Sequence, residues 1–361
     1  MRTLAATLTL FSGLMLAGGC QQLKNDSDAV SGAGSVGLTQ RMQEVLDEHA
    51  SLGPKPIETL SPAEARQQPS LADAAKKWLR KHAGSDAPEE VGRIENRTFT
   101  SPGGRELAVR IYYPKGASAS GSASAGSLRP MAVYWRGGGW VIADLDTYDA
   151  SCRALCNAGN CIIVSADYRR APESPFPAAA DDAMAAYRWT LQNARSIGGD
   201  AKRIAVIGES AGGNLAAIVA LSASENGLQP PTRQILIYPV TNYGFETPSH
   251  RQHANAKPLN LTMMRWFWEH YLPNPAAGAD WRASPLRAPQ AMLAKSPPAI
   301  IINADVDPIR SDGGLYANRL RDAGVRVQTR NYERVTHEFF GMSAILPEAK
   351  DAVEFAAQGL K

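Results

Sequence analysis

Two stretches of the chain, Arg93–Phe99 and Leu107–Tyr113, alternate apolar and polar positions with a period of two and flank Ser101-Pro102-Gly103-Gly104. That pattern predicts two half-buried strands joined as a hairpin. Beyond them the period changes. Continuous apolar runs at 131–135, 161–166, 203–207, 234–238 and 298–303 read as strands buried on both faces. The segments between them have a helical period: in 178–193, Ala180, Ala183, Met184, Tyr187 and Leu191 fall on one face. A late strand is expected over Val325–Tyr332. Strands alternating with helices predict an α/β fold with a mostly parallel central sheet and helices on both faces.

The rhythm breaks between Tyr238 and Ala299, where about 60 residues intervene, far more than an ordinary connection. This insertion carries Met263, Met264, Trp266, Phe267, Trp268 and Tyr271, too apolar to stay in solvent. It is expected to pack as a helical cap over the carboxyl edge of the sheet, where ligands bind in such folds. Two N-terminal helices should join it. One covers Arg41–His49, with Met42, Val45, Leu46 and His49 on one face. The other covers Leu71–His82, after a helix start at Ser61-Pro62-Ala63-Glu64. The expected organisation is therefore one α/β domain over 41–361, with its cap formed by about 41–90 and 242–280. The low-complexity stretch 117–127 reads as a surface loop.

The N-terminus has a different character. Arg2 precedes an apolar run from Leu4 to Leu16, followed by Ala17-Gly18-Gly19-Cys20. A short basic region, an apolar core and small residues before a cysteine make an export signal over 1–19. It resembles a bacterial lipoprotein signal, in which Cys20 is lipidated and holds the protein to a membrane facing the periplasm or cell exterior. Leu16 lies one position further from the cysteine than is usual in such signals; a plain cleaved leader and a secreted or periplasmic product is the alternative. Residues 20–40, rich in Ser, Gly, Asp and Gln, read as a flexible tether. Of the remaining cysteines, Cys152 and Cys156 stand at helical spacing, poor for bridging, and Cys156 and Cys161 meet only if a turn intervenes. Buried thiols are the favoured reading.

Composition narrows the partners. The 361 residues are 44% apolar and 20% charged, with a formal net charge of +3. That suits a globular protein with a substantial core, and without a lysine/arginine cluster it implies no nucleic-acid partner. No spacing suggests a metal site, and no cofactor is expected.

The chemistry concentrates in four places. Gly208-Glu209-Ser210-Ala211-Gly212 fits G-x-S-x-G between an apolar strand and a helix. A serine on a tight strand-to-helix turn projects its oxygen away from the sheet, and the flanking glycines let backbone pass close by. The helix N-terminus, at Ala211, offers free N–H groups to a developing anion. A serine needs a base, and of the six histidines only His337 follows a late strand; the other five lie in the N-terminal or inserted segments. The orienting acid should lie between serine and histidine in sequence. Asp307, just past the strand Ala299–Asn303, is favoured over its neighbour Asp305, although either aspartate is also placed to cap the helix that follows. Finally, Arg136-Gly137-Gly138-Gly139-Trp140 ends a strand with three glycines that expose backbone N–H groups. Such donors are each worth ~3 kcal/mol when aimed at a transition-state oxygen. Neither G-K-[ST] nor G-x-G-x-x-G is present, so a nucleotide cradle is disfavoured.

Taken together, Tyr134–Trp140 with Asp144-Leu145-Asp146, Asp167-Tyr168-Arg169-Arg170-Ala171-Pro172-Glu173, Gly208–Asn214, and Asp307–Arg310 with His337-Glu338-Phe339 resemble the hormone-sensitive-lipase-like branch of α/β-hydrolases, the bacterial family IV esterases. The resemblance covers roughly residues 55 to 361. It implies the α/β-hydrolase fold, with Ser210 as nucleophile, His337 as general base and then acid, and Asp307 as its orienter. It also implies an oxyanion hole from the backbone N–H groups of Gly138, Gly139 and Ala211, and a cap that shapes the acyl pocket. Trp140, Trp266 and Phe267 are the expected substrate contacts. Two residues depart from the family pattern. Arg136 stands where a histidine usually holds the glycine loop; arginine is longer, permanently charged and cannot accept a hydrogen bond. Restoring the histidine is expected to raise turnover. Arg170 stands where an aliphatic residue is usual, and is expected to be a local packing change.

The implied activity is hydrolysis of short- to medium-chain carboxylic esters through an acyl-enzyme intermediate. Two alternatives keep the same scaffold: a catalytically silent small-molecule receptor, and a deacetylase or lactonase that uses the same three side chains.

Overall fold

The structure is a computed structural model that describes residues 37–117 and 128–360. The expected leader over 1–19, Cys20, most of the expected tether and all but the first residue of the expected loop 117–127 lie outside the described residues. Eight strands form one sheet: β1 Arg93–Thr100, β2 Glu106–Tyr113, β3 Arg129–Trp135, β4 Ile162–Ala166, β5 Gly199–Glu209, β6 Gln234–Ile237, β7 Ala299–Val306 and β8 Val327–Thr336. Their order is β1-β2-β4-β3-β5-β6-β7-β8. The hairpin β1–β2 is antiparallel and joins β4 antiparallel, and every other pairing is parallel. Eleven α-helices are described: α1 Gln40–Ser51, α2 Pro62–Ala65, α3 Leu71–Ala83, α4 Asp149–Gly159, α5 Ala178–Asn193, α6 Ala211–Ser222, α7 Pro248–Gln252, α8 Leu261–Tyr271, α9 Gln290–Leu293, α10 Arg310–Asp322 and α11 Pro347–Ala357.

Successive side chains of a strand face opposite ways, so the unbroken apolar runs fill two cores at once. Val133, Val206, Leu236 and Ile301 join α5, α6 and α10 on one face. Their neighbours Ala132, Ile207, Ile235 and Ile300 join α4 and α11 on the other. Helix α6 is buried along its whole length. A helix apolar all round belongs at the centre of a molecule, and it carries the residue after Ser210 into that centre. Asn214 is its one amide, and its Nδ2 donates to the carbonyls of Val240 at 3.0 Å and Ala283 at 2.9 Å. One buried side chain thus ties α6 to the start and end of the insertion.

Several boundaries moved for identifiable reasons. Strand β8 runs on to Thr336, directly before His337, because as an edge strand paired only with β7 it tolerates the exposed Glu333 and Arg334. Ser61-Pro62 starts only the short α2, closed by a Ser61–Glu64 capping box. Helix α3 has its own box from Ser70 and Asp73. Residues 37–40, expected to end the tether, are already held, since Thr39 caps α1 and Arg334 donates to the carbonyls of Gly37 and Leu38. Cys152, Cys156 and Cys161 are buried and unbridged. Helices α1 and α3 pack on each other and on the side of the sheet that carries α4 and α11, while the turn Ile57–Thr59, with α2 beside it, meets α8. Trp266 Nε1 donates to the Leu60 carbonyl at 3.2 Å across this join, and Arg66 bonds the carbonyls of Val141 and Ala171 while gripping Glu173 with two 2.7 Å contacts.

Replacing Asn214 with alanine strands two buried carbonyls without a donor. The expected cost is roughly 2 kcal/mol of unfolding free energy, read as a lower denaturant midpoint at unchanged slope. An unchanged midpoint would mean that the insertion is held by its apolar contacts alone.

Candidate active site

Ser210 occupies the single residue between β5 and α6, with φ 55° and ψ −118°. A left-handed backbone at a non-glycine residue is strained, and it persists only where the surroundings enforce it. They do so here through close approach. A Cβ at Gly208 would lie 2.0 Å from the Gly212 carbonyl oxygen, and one at Gly212 would lie 2.0 Å from the Trp135 carbonyl oxygen. Both glycines of the motif are therefore required by backbone packing. Ser210 N donates to the Ile237 carbonyl at 2.9 Å, which fixes the turn to the end of β6.

The serine hydroxyl lies 3.0 Å from Nε2 of His337, and Nδ1 of that imidazole lies 2.6 Å from Oδ2 of Asp307. Asp307 is fully buried, and its other oxygen accepts from Ile309 N at 3.0 Å. Asp305 is excluded from this role: it is paired with Arg310 at 2.5 Å. The three side chains come from the ends of β5, β7 and β8, all at the carboxyl edge of the sheet.

Burial alone would depress the His337 imidazole. Asp307 outweighs it, aided by Glu338 and Glu209, and holds the ring above its ordinary pKa. Each of these glutamates adjoins a reacting residue in the sequence, but no pattern along the chain assigns either of them a role. Glu209 lies beneath the site and accepts from Tyr134 at 2.6 Å and from Tyr238, whose ring sits 4.5 Å from that of His337. Burial, with the charge of Glu338, pushes the Glu209 carboxyl up to about 7. Glu338 accepts from the Tyr148 hydroxyl at 2.6 Å, and its Oε1 is 4.0 Å from Nε2 of His337.

The glycine loop after β3 adjoins this cluster: a Cβ at Gly137 would lie 2.3 Å from the Tyr148 hydroxyl and 3.2 Å from the Glu209 carbonyl oxygen. Gly138 and Gly139 have φ of 92° and 56°, and both line the same cavity as Ser210. Substitution at either is blocked: a Cβ at Gly138 would lie 2.3 Å from the Ile142 carbonyl oxygen, and one at Gly139 would lie 2.2 Å from the Phe267 ring. Arg136 explains how the loop keeps its shape without the usual histidine. Its fully buried guanidinium donates to the carbonyls of Gly137 at 3.2 Å and Ile142 at 2.9 Å, pairs with Asp167 at 2.8 Å, and lies over the Tyr168 ring at 4.2 Å. The Tyr168 hydroxyl in turn bonds the carbonyls of Arg136 and Gly137. The arginine thus spans both ends of the loop, and its charge is compensated.

The cavity has a volume of about 1630 Å³. Its wall includes Ser210, Val240, Met263, Met264 and Phe267. Trp140 also contributes to the wall, but most of its ring is stacked on Tyr271 at 4.0 Å and tilted against Trp268. Trp266 does not line the cavity; its bond to Leu60 turns it into the cap. On a helix, adjacent residues face different ways, so Phe267 faces the site and Trp266 cannot. Arg170 also reaches the cavity wall, where it donates to the Ala143 carbonyl at 3.3 Å. Among the described residues no group of side chains is arranged to hold a metal ion.

Comparison with known proteins points to the same fold. Residues 132–341 match a family model described as alpha/beta hydrolase fold. The chain is 38% identical over 270 residues to carboxylesterase NlhH of Mycobacterium tuberculosis, covering 74% of this chain and 82% of that protein. It is 35% identical over 274 residues to ethyl acetate hydrolase of Pseudomonas putida, covering 76% and 84%. The crystal structure of a thermostable esterase from Pseudomonas putida superposes with a TM-score of 0.80 at 33% identity, covering 91% of this chain and 99% of that one. The sheet order, the serine turn at the centre of the sheet and the extent of these matches lead to one conclusion: the chain belongs to the α/β-hydrolase family.

Proposed function

We propose that this chain is a serine carboxylic-ester hydrolase that acts on short- to medium-chain acyl esters through an acyl-enzyme on Ser210. The observation that carries the reading is the unbroken hydrogen-bonded chain from Asp307 through His337 to the Ser210 hydroxyl. In this arrangement His337 takes the hydroxyl proton as Ser210 attacks the ester carbonyl, and Asp307 stabilises the imidazolium that results. The oxygen that becomes negative is met by the N–H groups of Gly138, Gly139 and Ala211, the last at the first position of α6. His337 then gives its proton to the departing alcohol, and water repeats the sequence to release the acid. The apolar wall of Val240, Met263, Met264 and Phe267 suits an acyl chain. A preference for small acyl groups is supported by the similarity to a protein named for ethyl acetate hydrolysis.

Ser210→Ala should lower kcat/KM for a short-chain chromogenic ester by roughly 10⁴-fold or more while leaving the melting temperature near its original value. Undiminished turnover would remove the serine from the mechanism.

His337 works as a base only when neutral, so kcat/KM falls as pH drops through its pKa. Because Asp307 and the two glutamates raise that pKa above its ordinary value of about 6.5, the acid limb of the pH profile should be centred above it. In Asp307→Asn the residual activity should show the limb displaced to lower pH. A limb that stays in place would assign it to another group.

Arg136 already performs the loop-holding task, so Arg136→His should bring no gain in turnover, contrary to what its departure from the family pattern suggests. Arg136→Ala should reduce kcat by roughly tenfold with little change in KM, because the loop acts on the transition state. A large rise in KM with kcat unchanged would place Arg136 in ground-state binding instead.

A further inference from the structure

Glu338 follows the base directly and has an unusual backbone, with φ 69° and ψ 5°. Glycine adopts this left-handed conformation freely, whereas a glutamate there costs about 1 kcal/mol. Its side chain is nevertheless held in place, since Oε1 accepts from the Tyr148 hydroxyl at 2.6 Å. Tyr148 is itself wedged under the glycine loop: a Cβ at Gly137 would lie 2.3 Å from its hydroxyl oxygen. Glu338 lines the cavity alongside Ser210 and His337.

The informative distance is the 4.0 Å between Glu338 Oε1 and His337 Nε2. It is too long for a hydrogen bond between them. It is the right separation for two acceptors that share one water: an oxygen about 2.8 Å from each would see them at an angle of about 90°, near the angle between the two O–H bonds of water. A carboxylate oxygen has a second lone pair, so Oε1 can accept from water while it still accepts from Tyr148.

Resting on the ester-hydrolase reading above, we propose that Glu338 is the positioning residue for the deacylating water, and that it biases the acyl-enzyme toward hydrolysis over acyl transfer to alcohols. In this step one hydrogen of the water is directed at Glu338 and the other at His337. The water oxygen forms a bond to the acyl carbonyl carbon, its proton passes to Nε2 of His337, and the carbonyl electron pair moves onto the oxygen facing the glycine loop. Collapse of that intermediate breaks the bond from carbon to Ser210 Oγ, and His337 returns the proton to the serine. Glu338 exchanges no proton. An alcohol has only one O–H, which His337 alone can receive, so alcoholysis feels Glu338 only through its charge on His337, an effect that hydrolysis shares. Acylation involves no water and likewise feels Glu338 only through that charge.

The test uses Glu338→Gly, which removes the carboxylate and relieves the backbone, with Tyr148→Phe as a second variant that frees the carboxylate from its anchor. Rapid mixing with a chromogenic ester separates release of the first product from the steady state. Addition of methanol, with methyl ester and free acid quantified, gives the partition of the acyl-enzyme. For Glu338→Gly the first-product phase should slow only modestly, by the loss of a charge beside His337, whereas the deacylation rate should fall roughly tenfold further, the weight of one hydrogen bond to a charged group. The ratio of methyl ester to acid, in which the shared charge effect cancels, should rise roughly tenfold. Tyr148→Phe should move both in the same direction by less, and Glu338→Gln, whose amide oxygen still accepts, should recover part of the loss. A deacylation rate and partition ratio that ignore residue 338 would overturn the inference alone. Failure of the wild-type protein to form any acyl-enzyme on Ser210 would overturn the hydrolase reading together with it.

Discussion

The constraint on which the site depends is the left-handed backbone of Ser210. Forcing a serine to φ 55° requires that everything around it be immovable. The central sheet supplies that rigidity. The strand before the serine is flanked on both sides by parallel strands, the helix after it is buried throughout, and the two motif glycines allow carbonyl oxygens to approach closer than any side chain would permit. The turn then aims the hydroxyl at the carboxyl edge, where the loops after β7 and β8 bring the acid and the base.

Around this turn, the protein gathers more negative charge than a triad requires. Asp307, Glu338 and Glu209 all bear on one imidazole, and Tyr134, Tyr148 and Tyr238 donate to the two glutamates. Burying carboxylates is costly unless their lone pairs are met by donors, and tyrosine hydroxyls meet them here without adding positive charge. The result is a field that favours the imidazolium, the species formed as the ester is attacked. At the glycine loop the balance is reversed. Arg136 is buried beside the glycine loop, neutralised by Asp167 and stacked on Tyr168, and keeps the loop carbonyls turned toward itself.

The sequence made the architecture readable because a sheet with two buried faces leaves unbroken apolar runs, and helices of 3.6-residue period stand out between them. The match of α5 to the expected 178–193 shows how strong that signal is when one face is uniformly apolar. Positions set by edges and caps were less legible. The exposed half of β8 is polar and looks like a loop, and the short α2 shares its start signal with a full helix. Trp266 and Phe267 are indistinguishable by composition, and only the orientation of α8 separates the residue bonded to Leu60 from the one packed on Gly139.

By itself, then, the sequence determined the strand–helix alternation, the serine turn with its glycines, and the order serine, aspartate, histidine, because each is a local pattern or a spacing along the chain. The tertiary structure alone decided which aspartate meets His337, how Arg136 replaces a histidine, and that Glu209 and Glu338 converge on the same imidazole. Those outcomes depend on distances of a few ångströms between residues far apart in the chain, as Ser210 and His337 are at 127 positions. Electrostatic and hydrogen-bond energies change over that range, and only the packing of the sheet and its helices fixes it.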